Sequence, residues 1–306
     1  MFYFVFKKYF GNVVKSIAEV DNKRIASLPK VDNIVKKEYS YIEDGNELHK
    51  LNVYKYALDM RRRPLVFCIH GGGWCYGDKD LNENFLTNLV ALGFDAVAIS
   101  YRIAPENNVL DMLKDIFASF KYVKEHQDEL DVDFSNILLT GDSAGGHLAL
   151  LSYVAATSDL YKKLGLEEVE IDVNSLVLNH PVPYLSIAGN FNGHKLASLL
   201  VARKGMIRQI LGKHYKKNPI YKYALDPTYY IDKNTKLPKV MIITSEGDRD
   251  FCYQSKMLSE FLSSLGHKNL LYVEGENSPH VFNILYPQKE DSLKCNRRIK
   301  EFYEEN

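Results

Sequence analysis

Beyond residue 63 the chain alternates short apolar runs with stretches of helical period, and few architectures tolerate that order. The runs at 64–69, 94–100, 136–140, 175–179, 240–244 and 270–273 read as strands, and 82–92, 109–126, 144–156, 253–265 and 289–303 read as helices. Strands that are apolar at consecutive positions must be covered on both faces, as happens when parallel strands are joined by crossover helices packed on the sheet. The expected fold class is therefore α/β, with a mostly parallel central sheet flanked by helices. Ahead of it, extended segments at 34–42 and 47–56 flank Asp44-Gly45. Both residues of that pair tolerate positive φ, so an antiparallel hairpin is expected there.

The alternation stops after Pro181-Val182-Pro183 and resumes near Leu237-Pro238, leaving about 50 residues with helical stretches and no convincing strand; an insertion that long in a compact fold is usually functional. At the start of the chain, Phe2, Phe6, Phe10, Val13 and Ile17 recur three or four apart, one face of an amphipathic helix. Such a stripe packs on its own protein or, failing that, on a partner or a membrane surface.

Basic and acidic side chains balance at 39 each, so there is no cationic excess to neutralise phosphates, and nucleic acid is excluded as an expected partner. Cys68, Cys75, Cys252 and Cys295 form no CxxC pair, which fits neither a disulfide-stapled scaffold nor a thiolate zinc site and points to a reducing compartment. The apolar start, Met1 to Phe6, lacks a preceding basic region and runs into Lys7-Lys8, unlike a signal peptide. No run approaches the roughly 18 apolar residues that span a bilayer. A cytoplasmic location without a membrane partner is expected, and homo-oligomerisation stays open.

The chemistry concentrates where strands end. The run 137–140 leads into Gly141-Asp142-Ser143-Ala144-Gly145-Gly146, and an apolar helix follows at once. This is GxSxG in the strand-turn-helix setting that presents a serine hydroxyl at the edge of a sheet. The helix N-terminus sets partial positive charge and free N–H groups beside the reacting oxygen. Ser143 is the candidate nucleophile. Asp142 beside it reads as loop structure, and His147, one helical turn on, as packing or capping.

The strand at 64–69 ends in His70-Gly71-Gly72-Gly73-Trp74. Three consecutive glycines suit a loop whose amides must approach a ligand closely, and Gly71, Gly72 and Ala144 are the candidate donors to an oxyanion. Trp74 is a candidate pocket residue, and His70 reads as loop-fixing. The strand at 240–244 runs into Ser245-Glu246-Gly247-Asp248-Arg249-Asp250, placing carboxylates where one could orient a histidine. Asp248 is the first choice, Asp250 the alternative, Glu246 a distant third. Of nine histidines, His280 closes a late, turn-rich loop past a strand, where an imidazole can act as base and then acid. The order Ser143, Asp248, His280 matches the chain order of α/β-hydrolase triads.

These residues resemble the α/β-hydrolase superfamily and, within it, the hormone-sensitive-lipase-like bacterial esterases (acetyl esterase/lipase-like). The likeness is carried by His70-Gly71-Gly72-Gly73-Trp74, Ser100-Tyr101-Arg102-Ile103-Ala104-Pro105-Glu106 and Gly141-Asp142-Ser143-Ala144-Gly145-Gly146, and covers about residues 47 to 290. It implies an α/β-hydrolase fold with a helical cap and a serine carboxylesterase working through an acyl-enzyme, with no metal or other cofactor. The expected organisation is an N-terminal helical segment at 1–45 contributing to the cap, a core at 46–181 and 237–306, and a cap insertion at 182–236. Tyr101 and Arg102 are expected to brace the loop beneath the oxyanion hole. Asn107-Asn108 departs from the family's proline-rich continuation, altering a loop, and Arg249-Asp250 stands where many relatives carry an apolar pair, so the choice of aspartate stays open. A cap crowded with Tyr184, Phe191, Tyr215, Tyr221 and Tyr223 restricts the expected substrate to small or medium acyl esters. The rival readings are an amide or formamide hydrolase, a non-catalytic small-molecule binder on the same scaffold, and a lipase acting at interfaces.

Overall fold

The structure, a computed structural model, describes residues 16–59, 61–185, 205, 207–212, 217, 221, 224 and 226–305. Eight strands form one sheet: β1 (Ile34–Ser40), β2 (Lys50–Tyr56), β3 (Pro64–Ile69), β4 (Asp95–Ile99), β5 (Asp133–Asp142), β6 (Val173–Asn179), β7 (Lys239–Ser245) and β8 (Asn269–Glu274). Their order is β1-β2-β4-β3-β5-β6-β7-β8. β2 pairs antiparallel with β1 and with β4, and every other pairing is parallel. The expected α/β-hydrolase architecture is therefore present.

The strands feed two cores because side chains point alternately to opposite faces. Leu65, Phe67, Ile69, Val97, Ile99, Ile137, Leu139 and Ile242 enter one core, on the side of helices α2 (Val109–Glu125) and α3 (Ala144–Ala156). Val66, Cys68, Ala96, Ala98, Leu138, Met241 and Ile243 enter the other, on the side of α1 (Glu83–Ala91) and α5 (Glu290–Glu304). Helix α4 (Cys252–Ser264) packs along β7 and β8. Every residue of α3 but the last is buried, so this helix shows apolar character all round instead of a stripe.

Two loops differ from expectation. The hairpin does not turn tightly at Asp44-Gly45: the strands end at Ser40 and Lys50, and the loop between them folds inward because His49, buried, bonds Asp44 Oδ2 at 2.8 Å through Nδ1. Asn108 does more than alter a loop. Its Oδ1 accepts from Leu110 N at 2.8 Å while Asp111 Oδ2 accepts from Asn108 N at 3.0 Å, a capping box that starts α2 and is worth about 1 kcal/mol.

Residues 16–27 are helical and reach the edge of the cavity described below. Phe2, Phe6, Phe10 and Val13 of the amphipathic stripe lie outside the described residues, as do Phe191, His194, His214, Tyr215 and Tyr223 of the insertion. Among the described residues no helix is long and apolar enough to cross a membrane.

Candidate active site

Strand β5 hands over to α3 at Ser143, whose backbone has φ 51° and ψ −115°. A non-glycine residue holds such a conformation only where its surroundings enforce it. Here Ser143 N donates to Asn179 O at 2.9 Å, and Ser143 O accepts from Val182 N at 3.3 Å and His147 N at 3.2 Å. Gly145 lets the turn close, since a Cβ there would run into the carbonyl oxygen of Ile69.

Past β8, His280 Nδ1 lies 2.7 Å from Asp248 Oδ2. The Asp248 side chain is 2% exposed, and its Oδ1 accepts from Phe251 N at 3.1 Å, so both carboxylate oxygens are held. Asp250 and Glu246 are exposed, so burial distinguishes Asp248, the first choice from sequence, from both alternatives. The His280 ring lies between Phe251, with centroids 5.1 Å apart, and His180, at 5.4 Å.

The glycine loop requires a correction. Gly71 N–H is already committed, donating to Asp142 Oδ1 at 2.9 Å, where Asn82 Nδ2 also donates at 2.7 Å. It cannot serve a ligand without abandoning a buried carboxylate. None of the described residues accepts from the amides of Gly72, Gly73 or Ala144. Gly72 has φ +99° and no room for a side chain against the Tyr76 carbonyl, and Gly73 has φ +59°. Asp142 is thus a structural anchor: burial pushes its carboxyl upward, opposed by the hydrogen bonds from Asn82 and Gly71.

Tyr101 OH donates to His70 O at 2.8 Å and its ring stacks on His70 at 4.2 Å, bracing the loop from below. Arg102 grips Asp115 of α2 with Nε and Nη2, at 2.7–3.1 Å, and so holds the next stretch of chain. Burial holds His70 neutral, pushed down to about 4, with Nδ1 2.8 Å from Gly71 O, which suits a loop-fixing residue. His147 is likewise buried and pushed down to about 4. Trp74 Nε1 donates to His147 Nδ1 at 3.3 Å, which leaves His147 Nε2 as the donor to Ala224 O at 2.8 Å.

Ser143, His280, Gly72, Gly73, Trp74 and Asp142 line one cavity of about 420 Å³. That lies within the range of small-ligand pockets, roughly 300–1,000 Å³. Its remaining wall is largely apolar, with Leu81, Val182, Phe251, Val281, Ile284 and Leu285. Among the described residues, Tyr184 and Tyr221 stand outside this lining. The sequence pattern did not reveal that Ile17, Asp21 and Arg24, from the helical segment 16–27, close one side. Arg24 Nη1 donates to Ile284 O at 3.2 Å and Leu285 O at 3.3 Å, Arg24 Nε pairs with Asp21 Oδ1 at 2.9 Å, and Tyr76 OH bonds Asp21 Oδ2. The one sequence signal was the Asp21 and Arg24 spacing of three on a helix, a common surface pair. A hollow of about 500 Å³ beside Tyr41, Arg102 and Leu166 has no serine, cysteine or histidine among its described lining. Among the described residues, no group of His, Cys, Asp and Glu is placed to hold a metal ion.

Known proteins share this framework. The chain is 43% identical over 83 residues to Lipase 2 of Moraxella sp., covering 27% of this chain and 19% of that protein. It is 38% identical over 88 residues to Carboxylesterase NlhH of Mycobacterium tuberculosis, covering 28% of this chain and 27% of the relative. The chain thus spans only about a fifth to a quarter of the length of these relatives. The crystal structure of esterase B from Lactobacillus rhamnosis superposes with a TM-score of 0.89 at 24% identity, covering 98% of this chain and 95% of that one, which establishes a common fold. The family described as alpha/beta hydrolase fold matches residues 66–284, more than half of the sequence, so the chain belongs to the alpha/beta-hydrolase fold family.

Proposed function

We propose that the protein is a serine carboxylic ester hydrolase that works through an acyl-enzyme. The observation that carries this reading is a single cavity onto which Ser143, held at positive φ, and His280, bonded to a buried Asp248 at 2.7 Å, both open. The names of the relatives, a lipase and a carboxylesterase, agree with it.

In this mechanism His280 Nε2 takes the Ser143 proton as Oγ bonds to the ester carbonyl carbon. The carbonyl oxygen becomes an oxyanion and accepts hydrogen bonds from the amides of Gly72, Gly73 and Ala144, the last at the N-terminus of α3. Asp248 keeps the Nδ1–H tautomer and stabilises the imidazolium. The imidazolium returns its proton to the departing alkoxide, leaving the acyl group on Ser143. Water then loses a proton to His280, attacks the acyl carbon, and the proton goes back to Ser143 Oγ as the carboxylic acid leaves.

Residues 46–181 and 237–306 act as the catalytic core in this reading, with the insertion at 182–236 and the N-terminal segment covering it. The helix at 16–27 forming part of the cavity wall supports that division. A largely apolar cavity of about 420 Å³ suits small to medium acyl esters. The test is S143A, assayed on aryl esters and with a fluorophosphonate probe. Turnover should fall by at least about 10³-fold and labelling should vanish while the melting temperature holds. Residual turnover near the wild-type rate would remove Ser143 from the mechanism.

A further inference from the structure

Beside His280, and next in sequence to the carbonyl that holds Ser143, lies a side chain that the sequence did not single out. His180 follows the last residue of β6, is fully buried, and has φ 48°. Its backbone amide donates to Ile243 O at 2.7 Å, at the end of β7. Two of the three backbone contacts that hold Ser143 come from Asn179 and Val182, which bracket His180. A bulky residue in the left-handed region of backbone space, at a strand end beside reactive groups, persists only where several contacts fix it.

The hydrogen bonds around the ring run in one direction. Asn179 Nδ2 donates to Asn283 Oδ1 at 2.8 Å, so Asn179 Oδ1 faces His180 Nδ1, also at 2.8 Å, as an acceptor. His180 therefore carries its proton on Nδ1 and accepts at Nε2 from Ser245 Oγ, 3.2 Å away. Burial, with His280 close by, keeps the imidazole neutral. Locked in this way, the ring meets His280 edge to face, with centroids 5.4 Å apart and planes at 81°. Phe251 covers His280 at 5.1 Å. An imidazole that must turn between Ser143 and a leaving group has its plane set by these two neighbours and by Asp248.

Resting on the hydrolytic reading above, we infer that His180 is a positioning residue for that reaction, a neutral aromatic brace that sets the plane of His280 and ties it to the turn holding Ser143. It touches no reacting atom. Its effect is on the fraction of encounters in which His280 is aligned for proton transfer, so it acts on kcat and not on substrate affinity. Misplacement of a reacting group by about 1 Å can cost on the order of 10²-fold.

The test compares H180L, H180F and S245A by steady-state kinetics on one aryl ester, with melting temperature as the folding control. H180L should lower kcat about tenfold or more with KM within about twofold. H180F, which keeps an aromatic edge against His280, should recover most of that loss. S245A, which removes the ring's Nε2 partner together with a 3.4 Å contact to Pro279 O, should lower kcat severalfold, and S245A read against H180F carries the test if H180L does not fold. Wild-type kcat in folded H180L or S245A, equal losses in H180L and H180F, or a change confined to KM would each overturn the proposal. S143A separates the two levels: an inactive S143A beside unaffected His180 variants removes only the brace, whereas an active S143A removes the hydrolytic reading itself.

Discussion

On one side of the cavity, Ser143, Gly72 and Gly73 ride on backbone wedged between strand ends, where Gly145 meets the Ile69 carbonyl and Asp142 holds both Gly71 and Asn82. On the other, Ile17, Asp21 and Arg24 belong to a helix fastened mainly by polar side chains, and Ile17 and Val20 remain 46% and 66% exposed. The first wall is close-packed backbone that cannot shift without breaking the sheet. The second rests on a few hydrogen bonds at the surface, each worth about 1–3 kcal/mol. In the proposed reaction, chemistry placed on the first and fit placed on the second can therefore vary independently.

Substitutions on the packed side should have the largest effects. D248N should lower kcat by about 10³- to 10⁴-fold, because an amide oxygen or nitrogen facing Nδ1 no longer enforces one tautomer. D250N, altering an exposed carboxylate, should stay within about twofold of wild type; steady-state assays of the pair decide the acid. A larger loss in D250N than in D248N would move the assignment to Asp250. G72A should lose about 10²- to 10³-fold, since a side chain at φ +99° pressed against Tyr76 displaces a donor amide, and fluorophosphonate labelling rates measure it directly.

Acid should weaken the same wall. His147 is held down to about 4 when folded, against 6.5 for the free imidazole, so the unfolded chain binds the extra proton first as pH falls. Stability is therefore intact above about pH 6.5 and declines toward pH 4, with this residue contributing roughly 2 kcal/mol of loss by pH 5. Urea unfolding at pH 8 and pH 5 should show a smaller drop for H147Q than for wild type.

The smallest effect belongs to the helical wall. R24A removes the bonds to Ile284 and Leu285 and should change KM for the longer acyl esters by about three- to tenfold, with a lesser change in kcat. A loss of kcat as large as that of G72A would show that both walls serve the chemistry and dissolve the contrast.

What the sequence disclosed follows the same division. Strand and helix order was legible because strands buried on both faces leave continuous apolar runs between stretches of helical period, and Ser143 and the glycine loop stood out because their turns need small residues at fixed offsets. Which glycine amide faces the cavity was not legible: Gly71 loses its N–H to a carboxylate 71 residues away. Spacing favoured Asp248 without excluding Asp250, and the two differ sharply only in the folded chain, where one is buried and the other exposed. The grip of Arg24 on Ile284 and Leu285 and the wedge of His180 against His280 join distant segments, and no window of sequence contains both partners.

Trp74 is the one tryptophan in the chain, and it stands on the cavity with its indole N–H on an imidazole. Emission excited at the red edge of the absorption, where the 21 tyrosines absorb little, therefore has a single source, an optical reporter already installed on the cavity wall. Seating or release of a ligand in that cavity can be followed in real time without attaching a dye.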